Sequence, residues 1–213
     1  MKIGILGTGQ VGQTVGSKLV AMGYDVMMGA RSADNEKATA FAGRTGGKTG
    51  TFADAAQFGE MIIHATRGDS AIEVLGKAGA ENLAGKLVID ISNPLDFSNG
   101  FPPSLSISNI DSLGELIQRT FPEALVVKTL NTVTASVMVD PATVPGAHTV
   151  FVSGNDKGAK GRAMDLLRSF GWQSIIDLGD ITTARATEQM LPLWVRLYSV
   201  LGTGEFNLAL MKK

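Results

Sequence analysis

Apolar residues gather along the chain in short unbroken runs, and between the runs they recur at helical spacing. Strands are expected at Lys2–Leu6, Asp25–Gly29, Glu60–Thr66, Lys86–Asp90, Ala124–Lys128, His148–Ser153 and Ser174–Asp177, because continuous apolar runs suit strands buried on both faces. Val11, Val15, Leu19 and Met22 mark one amphipathic helix. Further helices are expected at Asp34–Ala42, Ala53–Phe58, Ser70–Ala80 (Ile72, Leu75 and Ala78 inward) and Ser112–Thr120. Another begins in Thr132–Met138, and one capped by Asp156 ends near Phe170. Gly43–Gly50 reads as a turn leading to a brief strand near Lys48–Thr51. Leu95–Ser108, with Pro102 and Pro103, is the longest irregular stretch, a candidate lid or binding loop. Thr182–Leu210 is helix-rich, interrupted at Pro192 and at Gly202-Thr203-Gly204. Strands alternating with helices predict an α/β fold: a doubly wound parallel sheet with right-handed crossovers. We expect one domain over residues 1–213, with 180–213 a helical C-terminal extension near an acceptor site.

The first strand runs into Gly7-Thr8-Gly9-Gln10-Val11-Gly12, a G-x-G-x-x-G turn followed at once by the amphipathic helix. In that order the three glycines have separate duties. Gly7 permits the sharp turn, Gly9 brings no side chain against a pyrophosphate, and Gly12 lets helix and strand pack closely. The helix N-terminus turns unpaired N–H groups toward an anion. The pattern predicts a Rossmann-type dinucleotide site.

The second strand ends where an adenosine ribose would lie, ~20 residues past the first glycines. An acid there would hold a 2′-hydroxyl, but the chain has Gly29-Ala30-Arg31-Ser32. Arg31 can grip a 2′-phosphate through its planar fork and Ser32 can add a hydroxyl, so NADP(H) is expected over NAD(H).

Composition narrows the class further. The 213 residues are 44% hydrophobic, enough for a core, and the formal net charge of -1 gives no general attraction to nucleic acid or anionic membrane. The chain has no cysteine, which excludes disulfides, thiol chemistry and Cys-zinc sites. Its 2 histidines, His64 and His148, lie far apart, so no metal centre is expected. No leader or bilayer-spanning run is apparent, and a cytoplasmic protein is expected.

In doubly wound sheets ligands lie beyond the carboxyl ends of the strands. Besides the glycine turn and Arg31, those ends carry Ala65-Thr66-Arg67, Asn93-Pro94 and Thr129-Leu130-Asn131-Thr132. Ala65, Thr66, Asn93, Pro94, Asn131 and Thr132 are therefore candidate cofactor contacts. His64 reads as a hydrogen-bonded core histidine and His148 as structural. Lys128 ends a strand and is a candidate general acid at the crevice. Asp90 and Asp96 form no convincing pair, and no Ser/His/Asp grouping stands out, so no catalytic residue is assigned. Hydride transfer to a flavin-like ring asks for alignment more than for a protein acid.

These segments resemble the NADPH-dependent oxidoreductases of the deazaflavin-coenzyme type and the related reductase domain of membrane metalloreductases. Gly7–Gly12 resembles the family's opening turn, and Met28-Gly29-Ala30-Arg31 its G-S-R segment at the 2′-phosphate. Val127–Val133 resembles its segment beside the nicotinamide, and Gly202–Asn207 its terminal helix region. The resemblance implies that Thr8 and Arg31 contact the 2′-phosphate, Gln10 and Val11 the pyrophosphate, and Asn131, Thr132 and Val133 the nicotinamide surroundings. It also implies a deazaflavin or flavin second substrate and a homodimer packed partly through the C-terminal region. Two positions depart from the pattern: Ala30 replaces a frequent serine, and Ser32 the second basic residue of G-S-R-R.

Met190, Leu191, Trp194, Leu197, Tyr198 and Leu201 form an apolar helical face. It suits core or dimer packing, or places Trp194 or Tyr198 against an acceptor ring. Arg185 and Arg196 are candidates for an anionic tail. Two other readings stay open: a non-catalytic NADPH sensor, and a dehydrogenase of a small imine or hydroxy acid. The latter usually brings a larger helical domain than this chain has room for.

Overall fold

The computed structural model describes residues 1–212. Its strands are β1 (Lys2–Leu6), β2 (Asp25–Ala30), β3 (Lys48–Thr51), β4 (Met61–His64), β5 (Leu87–Asp90), β6 (Leu95–Asp96), β7 (Ser104–Leu105), β8 (Leu125–Thr129), β9 (Thr149–Gly154) and β10 (Ser174–Gly179). Its α-helices are α1 (Gln10–Ala21), α2 (Glu36–Thr45), α3 (Phe52–Phe58), α4 (Ala71–Ala78), α5 (Ala80–Leu83), α6 (Leu113–Thr120), α7 (Ala135–Val139), α8 (Lys157–Phe170), α9 (Ala184–Gln189) and α10 (Leu191–Leu201). Short 3₁₀ turns lie at Gly68–Ser70, Pro141–Thr143 and Ile181–Thr183.

Alternation along each central strand sorts side chains between two cores. Ile3, Ile5, Met61, Ile63, Leu87, Ile89 and Val127 pack under α1, α2, α7 and α8, against Val15, Leu19, Phe41, Val137, Ala163 and Phe170. Leu6, Ile62, Val88 and Val126 face the opposite layer, against Ala55 of α3, Val74 and Leu75 of α4, Ile117 of α6 and Ala184 of α9. Helices thus cover both faces, which is why these strands read as unbroken apolar runs. Local signals set the helix starts. Asn35 caps α2 by accepting from the N–H groups of Lys37 and Ala38. Thr51 and Asp54 cap α3 reciprocally, and Asp156 caps α8 through Ala159 N–H.

Eight strands form one sheet in the order β10-β9-β8-β5-β4-β1-β2-β3. From β3 to β8 the neighbours are parallel, as expected. β9 corrects that picture: it pairs antiparallel with β8, and β10 follows β9 in parallel. Apolar composition carries no direction, so the reversal was invisible in the sequence.

Two further expectations are revised. The stretch from Leu95 to Ser108 is not wholly irregular, because β6 and β7 close it as a small antiparallel ribbon. The helix-rich segment stops at Leu201, where Gly202 takes a left-handed φ of 66° and ends α10. Residues 203–212 are not helical. They cross to β9, where Leu208 C=O accepts from Thr149 N–H at 3.0 Å and the Asn207 amide reaches Thr149 C=O at 2.9 Å. Pro192 interrupts as expected, falling in the first turn of α10, where its missing N–H costs nothing.

Candidate dinucleotide crevice

Between the carboxyl ends of β1, β2 and β4 lies a crevice of about 460 Å³. Gly7, Thr8, Gly9, Gln10 and Val11 line it from the first turn, Ala30, Arg31 and Asn35 from β2 onward, and Ala65, Thr66 and Arg67 from β4 onward. Phe52, Ser70 and Val74 complete the wall. The glycine turn is shaped for close approach. Gly7 has φ +127°, and a Cβ there would sit 2.5 Å from Ala65 C=O. A Cβ at Gly12 would sit 2.3 Å from Gly7 C=O, so the third glycine lets α1 press against the turn. A Cβ at Gly9 would meet nothing within 4 Å. That space is open on the crevice side.

Gly9 caps α1 without a side chain, and the first intrahelical bond arrives only at Gln13 N–H. The preceding N–H groups and the helix dipole therefore face the crevice, a ready anion site. Arg31 is exposed at the mouth and forms no ion pair among the described residues. The described lining holds two arginines and no carboxylate. Glycine cradle, free helix end and unpaired cation fit a phosphorylated dinucleotide.

Of the candidate contacts, Gly7, Thr8, Gly9, Gln10, Val11, Arg31, Ala65 and Thr66 share this crevice. Gly12 lies beneath it and Ser32 is exposed outside its lining. The other strand-end group does not open onto it. Pro94, Asn131, Thr132 and Val133 are buried, and Val133 belongs to the core. Asn93 and Asn131 clasp each other: Asn93 Nδ2 donates to Asn131 C=O at 2.8 Å, and Asn131 Nδ2 donates to Asn93 Oδ1 at 3.0 Å. The preceding Leu130 holds a φ of 61°, a left-handed geometry costly for leucine. Asn35, Phe52, Ser70 and Val74 were missed, being brought in by helices that pack over the crevice wall.

Lys128 does not take the candidate role of a crevice acid. It is fully buried and does not reach the crevice: its ammonium lies 2.5 Å from Asp90 Oδ2, 2.9 Å from Glu188 Oε1 and 2.8 Å from Ser92 C=O. The register explains the grouping, since His64 pairs laterally with Asp90, and Asp90 with Lys128. Three adjacent strands thus present these side chains in one row toward the α6–α9 layer. His64 is the hydrogen-bonded core histidine expected, with Nδ1 2.8 Å from Asp90 Oδ1 and Nε2 2.6 Å from Thr66 Oγ1. Burial would raise the Asp90 carboxyl, yet the Lys128 ammonium and the His64 ring hold it well below the usual carboxylate range. Burial likewise opposes the Lys128 charge, and the carboxylates of Asp90 and Glu188 outweigh it, raising the ammonium above its usual range. Each run ending in a polar residue was the overlooked signal: Ile63-His64, Ile89-Asp90, Val127-Lys128.

Arg185 spends its charge on Glu115, through Nε at 2.8 Å and Nη2 at 2.5 Å. His148 is structural, bonded to Pro141 C=O and to Asn207. No cluster of metal-ligating residues occurs among the described residues, and no described helix is long and apolar enough to cross a membrane.

Sequence comparison agrees with this geometry. The family model described as NADP oxidoreductase, coenzyme F420-dependent, matches residues 2–94, from β1 through the β5 end. The F420-dependent NADP reductase of Methanocaldococcus jannaschii is 30% identical over 155 residues, covering 71% of this chain and 69% of that protein. The chain belongs to the F420-dependent NADP oxidoreductase family. A solved structure from Arthrobacter sp. FB24, proposed to be an F420-dependent NADP-reductase, superposes with a TM-score of 0.95 at 51% identity, covering 100% of both chains. Rat metalloreductase STEAP3 is 27% identical over 210 residues, and this chain, 96% covered, spans 40% of that longer protein.

Proposed function

We propose that the protein is an NADP(H)-dependent oxidoreductase that passes hydride between NADPH and a deazaflavin- or flavin-like acceptor. The observation that carries the cofactor is Arg31: an exposed, unpaired guanidinium at the end of β2, in a described lining without a carboxylate. A carboxylate there would repel a 2′-phosphate, and the fork of Arg31 would hold it. Thr8, Gly9, Gln10 and Val11 would hold the pyrophosphate through the α1 N-terminus. Ala65 and Thr66, after β4, would face the nicotinamide half, whereas Asn93, Pro94, Asn131, Thr132 and Val133, also expected to contact it, do not line the crevice.

Bound NADPH would supply the hydride; the residues above would bind and orient it. The family names support a deazaflavin acceptor, since the relative from M. jannaschii is called an F420-dependent NADP reductase. The C-terminal extension, 180–213, is offered as the acceptor-side wall and as the contact of a homodimer. Trp194 stacks on Tyr198 and Phe206, and the adjacent Leu193, Val200 and Leu201 are exposed.

Replacing Arg31 with Ala tests the reading. The substitution should weaken NADPH binding by about tenfold to a hundredfold, the worth of charge-assisted hydrogen bonds, and leave NADH binding nearly unchanged. Equal losses for both would refute the 2′-phosphate assignment. NADPH oxidation in the presence of a deazaflavin, measured beside flavins, then tests the acceptor.

A further inference from the structure

The fork of Arg31 can bond two oxygens of a 2′-phosphate, and a phosphomonoester presents three. The neighbouring Ser32, standing where the resemblance places a second basic residue, is exposed outside the crevice lining. Asn35 is inside it. A turn closed by Asn35 N–H on Ser32 C=O at 3.3 Å folds the chain back after β2, so Asn35 returns to the wall that Arg31 shares. Its side chain already has one duty there. Oδ1 caps α2 by accepting from Lys37 N–H and Ala38 N–H, both at 3.1 Å. Both partners are donors, so the oxygen has to face the helix, and the planar amide then turns Nδ2 the other way. Among the described residues Nδ2 donates to no protein acceptor. No carboxylate in the described lining competes for it: Asp34 and Glu36 are exposed outside it, and Glu73, near enough to feel the Arg31 charge, is ion-paired with Lys77.

We propose that Asn35 is a specificity-determining residue for NADP(H): its oxygen caps α2, and its Nδ2 donates to the 2′-phosphate oxygen that the Arg31 fork leaves free. The cap serves the ligand, because two backbone bonds hold the amide in one orientation before the phosphate arrives, and little rotamer freedom is lost on binding. Arg31 supplies the charge and Asn35 a neutral donor beside it. An aspartate in its place would cap the helix equally well but would turn an oxygen toward the phosphate. Such an acid suits the 2′-hydroxyl of NAD(H) instead. One atom of a capping side chain thus bears on which dinucleotide is admitted. The proposal rests on the crevice being the NADP(H) site.

The experiment measures NADPH and NADH binding to Asn35→Gly and Asn35→Asp, beside Arg31→Ala. Glycine and aspartate are both accepted at helix N-caps, so both variants should fold, with urea denaturation as the check. Asn35→Gly removes the donor without adding charge. It should weaken NADPH binding about tenfold, the worth of one hydrogen bond to a charged group, and leave NADH binding unchanged. Asn35→Asp adds repulsion and should weaken NADPH binding about a hundredfold, again without loss of NADH. Equal losses for the two dinucleotides, or full NADPH affinity in Asn35→Gly, overturn the proposal. A selective NADPH loss in Arg31→Ala would in that case leave the crevice reading standing; if Arg31→Ala is unselective as well, that reading falls and the proposal with it. In wild-type protein the side-chain amide resonances of Asn35 should move on adding adenosine 2′,5′-bisphosphate and stay in place with adenosine 5′-monophosphate. The same shift with both would put the donor on the ribose or the base and overturn the phosphate assignment independently of any variant.

Discussion

Two cations stand at strand ends of the same sheet and have opposite fates. Arg31, after β2, is exposed and unpaired among the described residues. Lys128, next to the end of β8, is sealed from water, donating to Ser92 C=O and ion-paired with Asp90 and Glu188. The difference comes from what covers each end. Past β2 the chain swings out before Asn35 starts α2, leaving the guanidinium at the crevice mouth. Over β8 lie α6 and α9, and α9 brings a second carboxylate. A basic residue at a strand end is thus left free at the surface or becomes a structural counter-ion according to the layer above it.

Replacement of each cation should separate the roles. Lys128→Met strands two buried carboxylates, and we expect it to cost about 3–5 kcal/mol of stability, the range for breaking a buried ion pair, read by urea denaturation. Arg31→Ala should leave the unfolding midpoint unchanged while lowering NADPH affinity as stated above. The reverse pattern would undo the contrast. Acid should strike the same end. The folded Asp90 carboxyl titrates below its unfolded value, so its contribution is present above the unfolded value and is lost as pH falls through the folded one. Lys128 is shifted upward, so its contribution is full below the usual lysine range and fades in stronger alkali. Stability measured from neutral pH into acid should therefore fall less steeply in Asp90→Asn than in wild type. The smallest effect belongs to the exposed end: Asn35→Ala removes the α2 cap and should cost about 1 kcal/mol, visible as a small shift in denaturation midpoint.

What the sequence disclosed was local. The glycine turn, the helix after it and Arg31 fall within the first βαβ unit, where spacing along the chain equals proximity in space. The caps at Asp156 and the break at Pro192 were legible for the same reason. The charged row was hidden because its members come from β4, β5, β8 and α9, and their meeting depends on lateral register. Lys128 was accordingly misread as a residue able to reach the ligand. The mutual clasp of Asn93 and Asn131, and the non-helical course of residues 203–212, likewise depend on distant partners.

The reversed direction of β9 and β10 has an electrical consequence. Lys128 sits opposite Ser153 of β9, and Ser153 opposite Gly179, the last residue of β10. The chain therefore leaves the sheet level with the buried ammonium, and Thr183 fastens the exit by donating to Ser153 Oγ at 2.7 Å. The next helix then delivers Glu188 to Lys128 without a long detour. Two edge strands, turned against the rest, thus decide which second carboxylate meets Lys128 in a row that reaches the crevice wall at Thr66.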